Sequence, residues 1–244
     1  MRLDRFFSEM GILSRKEASL AARAGRISVN GSTVRRADGH INENADCIAL
    51  DDTPIIYRRF DYVFLNKPTG YVSATEDGRL PCVTELLPPA YKKRGLFPCG
   101  RLDRDTVGWM LLTNDGQLSH HLLSPRHHVE KEYRFSCDIP LPPEAEARFA
   151  AGITIDGDEL CRSSLLVCDA DRLGGKITLT EGKYHQIKRM IEALGSRVTY
   201  LERISFAGIP LDPTLARGQC REATRNEIAH LLSHADPHET SKSV

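Results

Sequence analysis

Hydrophobic and polar positions change period several times along the chain, and each change marks an element. Tyr62-Val63-Phe64-Leu65 is a continuous apolar run of strand length, and Val107 to Leu112 is another. Short runs of this kind read as strands buried on both faces. Lys131 to Cys137 alternates instead, with Tyr133, Phe135 and Cys137 on one face and Glu132, Arg134 and Ser136 on the other, the pattern of a half-buried strand. Lys176 to Thr180 also reads as a strand. Helical spacing is found at Gln117 to Leu123, at Glu144 to Ala151 before Gly152, and at Ile187, Met190, Ile191 and Leu194 before Gly195. Thr224 and Glu227 frame a capping box that opens a last helix ending near Ser233, and the tail from Ala235 is expected to be disordered. From Tyr62 onward strands and helices are interspersed, as in an α+β chain.

The N-terminal stretch parses separately. Ser14-Arg15-Lys16-Glu17 is a capping box and Gly25 a stop, which predicts a helix from Arg15 to Ala24. Ile27-Ser28-Val29 and Ser32-Thr33-Val34 flank Asn30-Gly31, the dipeptide best suited to the positive φ angles of a two-residue hairpin turn, and a short strand follows near Cys47 to Leu50. On the helix, Ala18, Leu20, Ala21 and Ala22 form the expected packing surface, leaving Arg15, Lys16 and Arg23 outside it with Arg26 just beyond. The boundaries read as a small domain over 1–52, a linker over 53–61, a second domain over 62–234 and a tail over 235–244.

Composition narrows the class. With 244 residues, 41% of them hydrophobic and 27% charged, the chain can bury a sizeable core and is unlike disordered, collagenous or coiled-coil sequences. No apolar run approaches the roughly 18 residues a membrane span requires, and the N-terminus lacks the apolar stretch of a signal peptide, so the expectation is a cytoplasmic protein without membrane contact. Seven cysteines without a C-x-x-C pair read as reduced, mostly buried thiols. Basic and acidic residues balance at 33 each, yet residues 1–36 hold eight basic groups against three acids, and Ala37 to Asp52 holds five acids with no Lys or Arg. A helix face of this kind is often only solvated. Here Arg35 and Arg36 of the hairpin join the same compact unit, which favours a phosphate backbone as its partner.

Three later segments are dense in reactive residue types. Gly100-Arg101-Leu102-Asp103-Arg104 sets one carboxylate between two guanidinium groups in a Gly-bounded loop, either a surface turn capped by Asp103 or a carboxylate kept ionised for nucleophilic work. Lys131-Glu132-Tyr133, after the basic loop Ser124-Pro125-Arg126-His127-His128, offers either a core tyrosine or a stacking face for an unstacked base. Glu181 to Met190 is a Gly turn into a helix with Lys183, Lys188 and Arg189, which together favour an anion. No nucleotide-binding glycine fingerprint or phosphate-binding loop is present in the sequence.

Two resemblances organise these residues. Arg2-Leu3-Asp4, Phe6, Gly11, Ser14-Arg15, Ala18, Gly25, Val29-Asn30-Gly31, Val34 and Asp46 resemble the S4-type RNA-binding domain. Asn66-Lys67-Pro68-Thr69-Gly70, Gly100 to Asp103 with Thr106 and Gly108, Leu111 to Gly116, Ser124 to His128 with Lys131 and Tyr133, and Glu181 to Met190 resemble the RsuA-type pseudouridine synthases. The chain departs from that pattern at Trp109-Met110, where the family usually has aliphatics, and at Cys99. The resemblance implies a catalytic domain built on a mixed, mainly antiparallel sheet flanked by helices, in a cofactor-independent, metal-free monomer that isomerises uridine in ribosomal RNA or a pre-ribosomal particle. Its motifs tilt to the small subunit, with the large subunit as alternative. By the same resemblance Asp103 attacks the ribose or removes a ribose proton, Lys188 pairs with it, and Tyr133 stacks on the detached base. Arg101 and Arg104 hold phosphates or fill the vacated stack, while Arg126, Lys183 and Arg189, with Arg15, Lys16, Arg23 and Arg26, contact RNA.

Rival readings are a glycosidase-like hydrolase, which needs a second carboxylate that Asp105 has no evident reason to supply, and a non-catalytic ribosome-binding protein. A metal enzyme built on His120, His121, His127 and His128 is disfavoured by their adjacent spacing.

Overall fold

The computed structural model describes residues 1–235, so the expected tail lies outside the described residues save for Ala235, which closes the last helix. The chain divides into two compact units, Met1–Asp61 with Leu87–Leu96, and Tyr62–Leu86 with Phe97 onward.

In the smaller unit, α1 (Leu3–Glu9) and α2 (Arg15–Arg23) precede β1 (Ile27–Val29), β2 (Ser32–Thr33), β3 (Ile48–Leu50) and β4 (Thr53–Ile55), an antiparallel sheet of order β2-β1-β3-β4. The expected capping box is present: the Glu17 N–H donates to Ser14 Oγ at 3.2 Å and the Ser14 N–H donates to Glu17 Oε2 at 2.7 Å. Asn30 and Gly31 both take positive φ, 52° and 78°, and the hairpin closes on the pair Val29 and Ser32. Leu3, Phe6, Phe7, Ala18, Ala21, Ala22, Ile27 and Ile48 form the core. Two expectations are corrected here. Leu20 is 55% exposed, because the three alanines already seat α2. The stretch expected as a linker carries β4, hydrogen-bonded to β3. Leu87–Leu96, with α3 (Pro89–Lys92), also returns to this unit. Arg94 secures it: buried, it pairs with Asp61 and donates to the carbonyls of Glu9 and Arg58.

The larger unit is built on β5 (Tyr62–Lys67), β6 (Phe97–Cys99), β7 (Val107–Thr113), β8 (Lys131–Cys137), β11 (Leu165–Cys168), β12 (Gly174–Leu179), β13 (Val198–Phe206), β14 (Ile209–Pro210) and β15 (Cys220–Glu222). β9 (Thr154–Ile155) and β10 (Glu159–Leu160) form a separate ribbon. The large sheet runs β11-β12-β8-β13-β7-β5-β15, with β14 on β13 and β6 on β7, and is antiparallel except between β13 and β7. The α+β class and mainly antiparallel sheet read from the sequence are therefore observed. Gly108 makes the parallel junction possible: at φ 102° its missing Cβ would lie 2.3 Å from the Arg203 carbonyl oxygen.

Helices α5 (Ala145–Ala151) and α6 (Gln186–Glu192) contribute Phe149, Met190 and Ile191 to a core with Phe135 and Ile177. Helices α4 (Gly116–Leu123) and α7 (Arg225–Ala235) contribute Leu118, Leu122 and Leu231 to another. Trp109, the departure from the family pattern, fills this second core, its ring 4.8 Å from Phe64 and 5.2 Å from Phe206. All seven cysteines are free thiols. Among the described residues no helix is long and apolar enough to cross a membrane.

Candidate active site

The loop from Gly100 to Thr106 joins β6 to β7 and is fixed by its backbone. Lys67, at the end of β5 and fully buried, sends its ammonium into the turn. Nζ donates to the carbonyls of Pro68 (3.1 Å), Asp103 (3.0 Å), Arg104 (3.3 Å) and Thr106 (2.8 Å). Burial pushes the Lys67 pKa down to about 8, against the opposing pull of Asp105 and Asp103. Ser73 braces the other side, its Oγ donating to the Leu102 carbonyl at 2.7 Å and accepting the Leu102 N–H at 2.9 Å. The Gly70 N–H donates to the Arg104 carbonyl at 2.9 Å. A turn pinned at this many points presents the Asp103 side chain in one orientation.

That side chain meets the start of α6. Lys188 Nζ lies 3.0 Å from Asp103 Oδ2 and 2.7 Å from Asp105 Oδ1, and His185 Nε2 lies 3.5 Å from Asp103 Oδ1. Burial works against the Lys188 charge, but hydrogen bonds to Asp105 and Asp103 outweigh it and hold its pKa above the ordinary value. For Asp105 the same contact outweighs desolvation and lowers its pKa. His185 takes a positive φ of 48° immediately before the helix, and its ring stacks on Tyr184 at 3.8 Å.

These groups border a cavity of about 370 Å³. Asp103 and the 100–106 loop form one wall, Tyr133, Lys131 and Arg203 of the sheet another, and the 181–188 segment a third. Tyr133 stands directly across the β8–β13 ladder from Arg203. The arrangement joins a cation-paired carboxylate to an aromatic ring around one cavity.

The three residues read as catalytic thus border one space. The cationic set does not stay together. Arg101 lines the cavity rim and is exposed, as is Arg104, while Arg126 is exposed in the 124–128 loop. Lys183 reaches the lining, but its ammonium is held by the Leu160 carbonyl at 2.7 Å and Glu159 at 3.1 Å. Arg189 turns away to Asp156 and Glu159. Of the three cations expected to favour an anion, only Lys188 reaches Asp103, because helical spacing sends Arg189 to a different face. In the smaller unit Arg15, Lys16 and Arg23 are exposed on α2, whereas Arg26 pairs with Asp51 at 2.5 Å. The acidic stretch after the hairpin thus neutralises part of the basic one.

Asp105, which the sequence gives no evident reason to face Asp103, shares its lysine. Ser73 and the clamping role of Lys67 had no local signature, and Arg203 is one arginine among many in the sequence. His185 lies inside the marked segment Glu181 to Met190 but carried no role of its own in the sequence reading. His121 stacks on His127 at 3.4 Å, and among the described residues no group of three His, Cys, Asp or Glu could hold a metal.

Comparison with known proteins gives this geometry a context. Residues 61–193 match the family model described as RNA pseudouridylate synthase. The chain is 39% identical over 236 residues to the Bacillus subtilis protein named "Uncharacterized RNA pseudouridine synthase YtzG", covering 96% of this chain and 98% of that one. It is 37% identical over 235 residues to "Ribosomal small subunit pseudouridine synthase A" of Escherichia coli, covering 95% and 100% respectively. A solved structure titled "Crystal structure of pseudouridylate synthase" aligns with a TM-score of 0.65 at 36% identity, over 95% of this chain and 99% of that one.

Proposed function

This chain belongs to the RNA pseudouridylate synthase family and is a pseudouridine synthase of the RsuA type, and from that premise we propose that it isomerises a uridine of small-subunit ribosomal RNA with Asp103 as the catalytic carboxylate. The observation that carries the assignment is the Asp103–Lys188 contact at 3.0 Å on the wall of a cavity that Tyr133 also lines. The reaction breaks the bond between N1 and the ribose, turns the uracil and rejoins it through C5, with no redox change or group donor. A carboxylate paired with Lys188 at 3.0 Å and aimed by a fixed turn either attacks the ribose or takes a ribose proton, and both routes release uracil as the leaving group. Tyr133 offers its ring to the released base. Arg101 and Arg104 are exposed beside Asp103, where the flanking phosphates of a flipped nucleotide would run.

The smaller unit, with its S4-like sequence pattern, is proposed to hold the RNA through Arg15, Lys16 and Arg23 of α2. The enzyme is proposed to act in the cytoplasm as a monomer. Identity over nearly the full length to the E. coli small-subunit enzyme supports the choice of target.

Two experiments test this. Mapping pseudouridine in ribosomal RNA from cells with and without the gene should show one small-subunit position lost, and loss from the large subunit instead would refute the target. Asp103→Asn should abolish tritium release from C5-labelled uridine RNA while RNA binding persists, because an amide of the same size is neither nucleophile nor base. Retention of even about a tenth of turnover refutes the assigned carboxylate.

A further inference from the structure

The sheet face beneath the cavity holds two buried cations that the chemistry above does not use. Lys131 and Tyr133 are two apart on β8 and share a face; Arg203 stands opposite Tyr133, and Phe206 stands opposite Lys131. A register shift between Arg203 and Ser205 makes this possible, bringing Arg203 and Phe206, three apart on β13, to one face. The result is a phenyl ring with Lys131 Nζ 5.6 Å and Arg203 Cζ 5.2 Å from its centroid. Arg203 is 1% exposed and Lys131 8%, and both line the cavity.

Neither cation has a carboxylate partner among the described residues. Lys131 donates to the Val129 carbonyl at 2.9 Å, Arg203 Nε donates to the Trp109 carbonyl at 2.7 Å, and Arg203 Nη2 finds no hydrogen-bond partner. Burial, with Arg203 adding to it, lowers the Lys131 pKa to about 8. The other carboxylates of the cavity are engaged elsewhere, Asp103 by Lys188 and Glu181 by Gln186 and the Arg162 N–H. Two adjacent buried cations with unused donors and no counterion are costly unless an anion meets them in the working state.

Resting on the reading that this enzyme isomerises uridine, we infer that Lys131 and Arg203 form the floor that receives the detached uracil and donate hydrogen bonds to its carbonyl oxygens. When the C1′–N1 bond breaks, its electron pair leaves with the base, so uracil carries a negative charge shared by N1, O2 and O4. The pair is consumed when C5 bonds to C1′; the proton lost from C5 is balanced by one taken up at N1. The charge exists only between these bonds, so donors aimed at it act on the barrier and not on RNA affinity. Tyr133, on the same face, holds the plane of the base while the floor holds its charge.

The test compares full-length wild type, Lys131→Met, Arg203→Met and Arg203→Lys on two RNA fragments carrying uridine or 5-fluorouridine at the modified position. Fluorine withdraws electrons and makes the base a better leaving group. The readout is single-turnover loss of the N-linked nucleoside, by nuclease digestion and chromatography, with RNA affinity measured in parallel. Each Met variant should lose about 10²- to 10³-fold in rate on uridine RNA, as for removal of one transition-state donor. The deficit should shrink by about tenfold or more on 5-fluorouridine RNA, with affinity within about threefold. Arg203→Lys, keeping the charge, should recover part of the rate. Equal deficits on both RNAs overturn the inference, since a merely structural role is blind to the leaving group. A deficit expressed as weaker RNA binding overturns it in favour of a phosphate contact. If Arg203→Met does not fold, the two-RNA ratio for Lys131→Met and Arg203→Lys decides. Wild type inactive on rRNA fragments would instead strike the underlying assignment.

Discussion

Lys67→Met is the most direct test of how the 100–106 turn is held. The ammonium has three protons for four carbonyls, three of them in the 100–106 loop. Removing it strands those oxygens in a buried site, at about 1–3 kcal/mol for each one left unpaired. Against this stands the relief of a buried charge, which has already moved the Lys67 pKa from 10.5 to about 8, equivalent to about 3 kcal/mol. Methionine matches the volume and the two effects partly cancel, so we expect a net loss of about 2–5 kcal/mol. That corresponds to a fall in Tm of roughly 5–15 °C for a unit of this size. The larger consequence is kinetic. A loop free to shift Asp103 by about 1 Å should cost about 10²-fold in single-turnover tritium release, with RNA affinity little changed. A Lys67→Met rate within about threefold of wild type would refute the idea that this lysine aims the carboxylate.

The same group makes a pH prediction of opposite sign for stability and activity. Because the folded pKa of about 8 lies below the ordinary 10.5, the unfolded chain binds more protons between those values. The Lys67 contribution to stability therefore rises with pH across that window. Yet the neutral amine that results has one donor fewer for the turn. The rate should fall above about pH 8, and the stability rise specific to this site should be missing from Lys67→Met.

Three further outcomes follow from other parts of the molecule. Neutralising Arg15, Lys16 and Arg23 together to Gln should flatten the slope of log affinity against log salt by about 2–3 if each meets a phosphate; an unchanged slope removes α2 from the RNA contact. Glu227, held by Arg221 and by Thr224, has its pKa lowered to about 2, so its contribution of about 1–2 kcal/mol is present above its ordinary 4.5 and lost as pH falls toward 2. Glu227→Gln should lack that acid-dependent loss in urea melts run across the window, and an identical loss in the variant would refute the link. Tyr133→Ala should lose the ~1–3 kcal/mol typical of base–aromatic stacking, whereas Tyr133→Phe should keep single-turnover rates near normal if the ring alone acts, and stall after C1′–N1 cleavage if the hydroxyl relays the C5 proton.

How much of this was legible in the sequence depends on the distance over which each feature is decided. The α2 capping box, the Asn30-Gly31 hairpin and the alternation of β8 are settled within a few residues, and they stand where the chain alone places them. That Asp103, Tyr133 and Lys188 border one cavity agrees with the family resemblance of their motifs, whereas the residues by themselves left Asp103 open as a surface turn and Tyr133 as a core side chain. What failed was decided by partners far along the chain. Leu20 is the exception, left exposed by its own neighbours on α2, where Ala18, Ala21 and Ala22 take the buried face. Arg26 and Arg189 looked like free cations until folding brought Asp51, Asp156 and Glu159 to them. The segment Leu87–Leu96 reads as part of the larger unit until Arg94 is seen against Asp61.

The cavity floor is the extreme case. Lys131 and Arg203 are 72 positions apart in the chain, and no period in β13 places Arg203 and Phe206 together, since residues three apart on a regular strand point to opposite sides. Only the register shift after Arg203 puts them on one face. The shift costs ladder regularity, and it sits beside the cavity rather than at a sheet edge, which is where a strand irregularity serves to re-aim a side chain. The ring between two cations and the irregular strand are therefore a single feature: without the shift Arg203 would still face Tyr133, but Phe206 would point to the other side of the sheet.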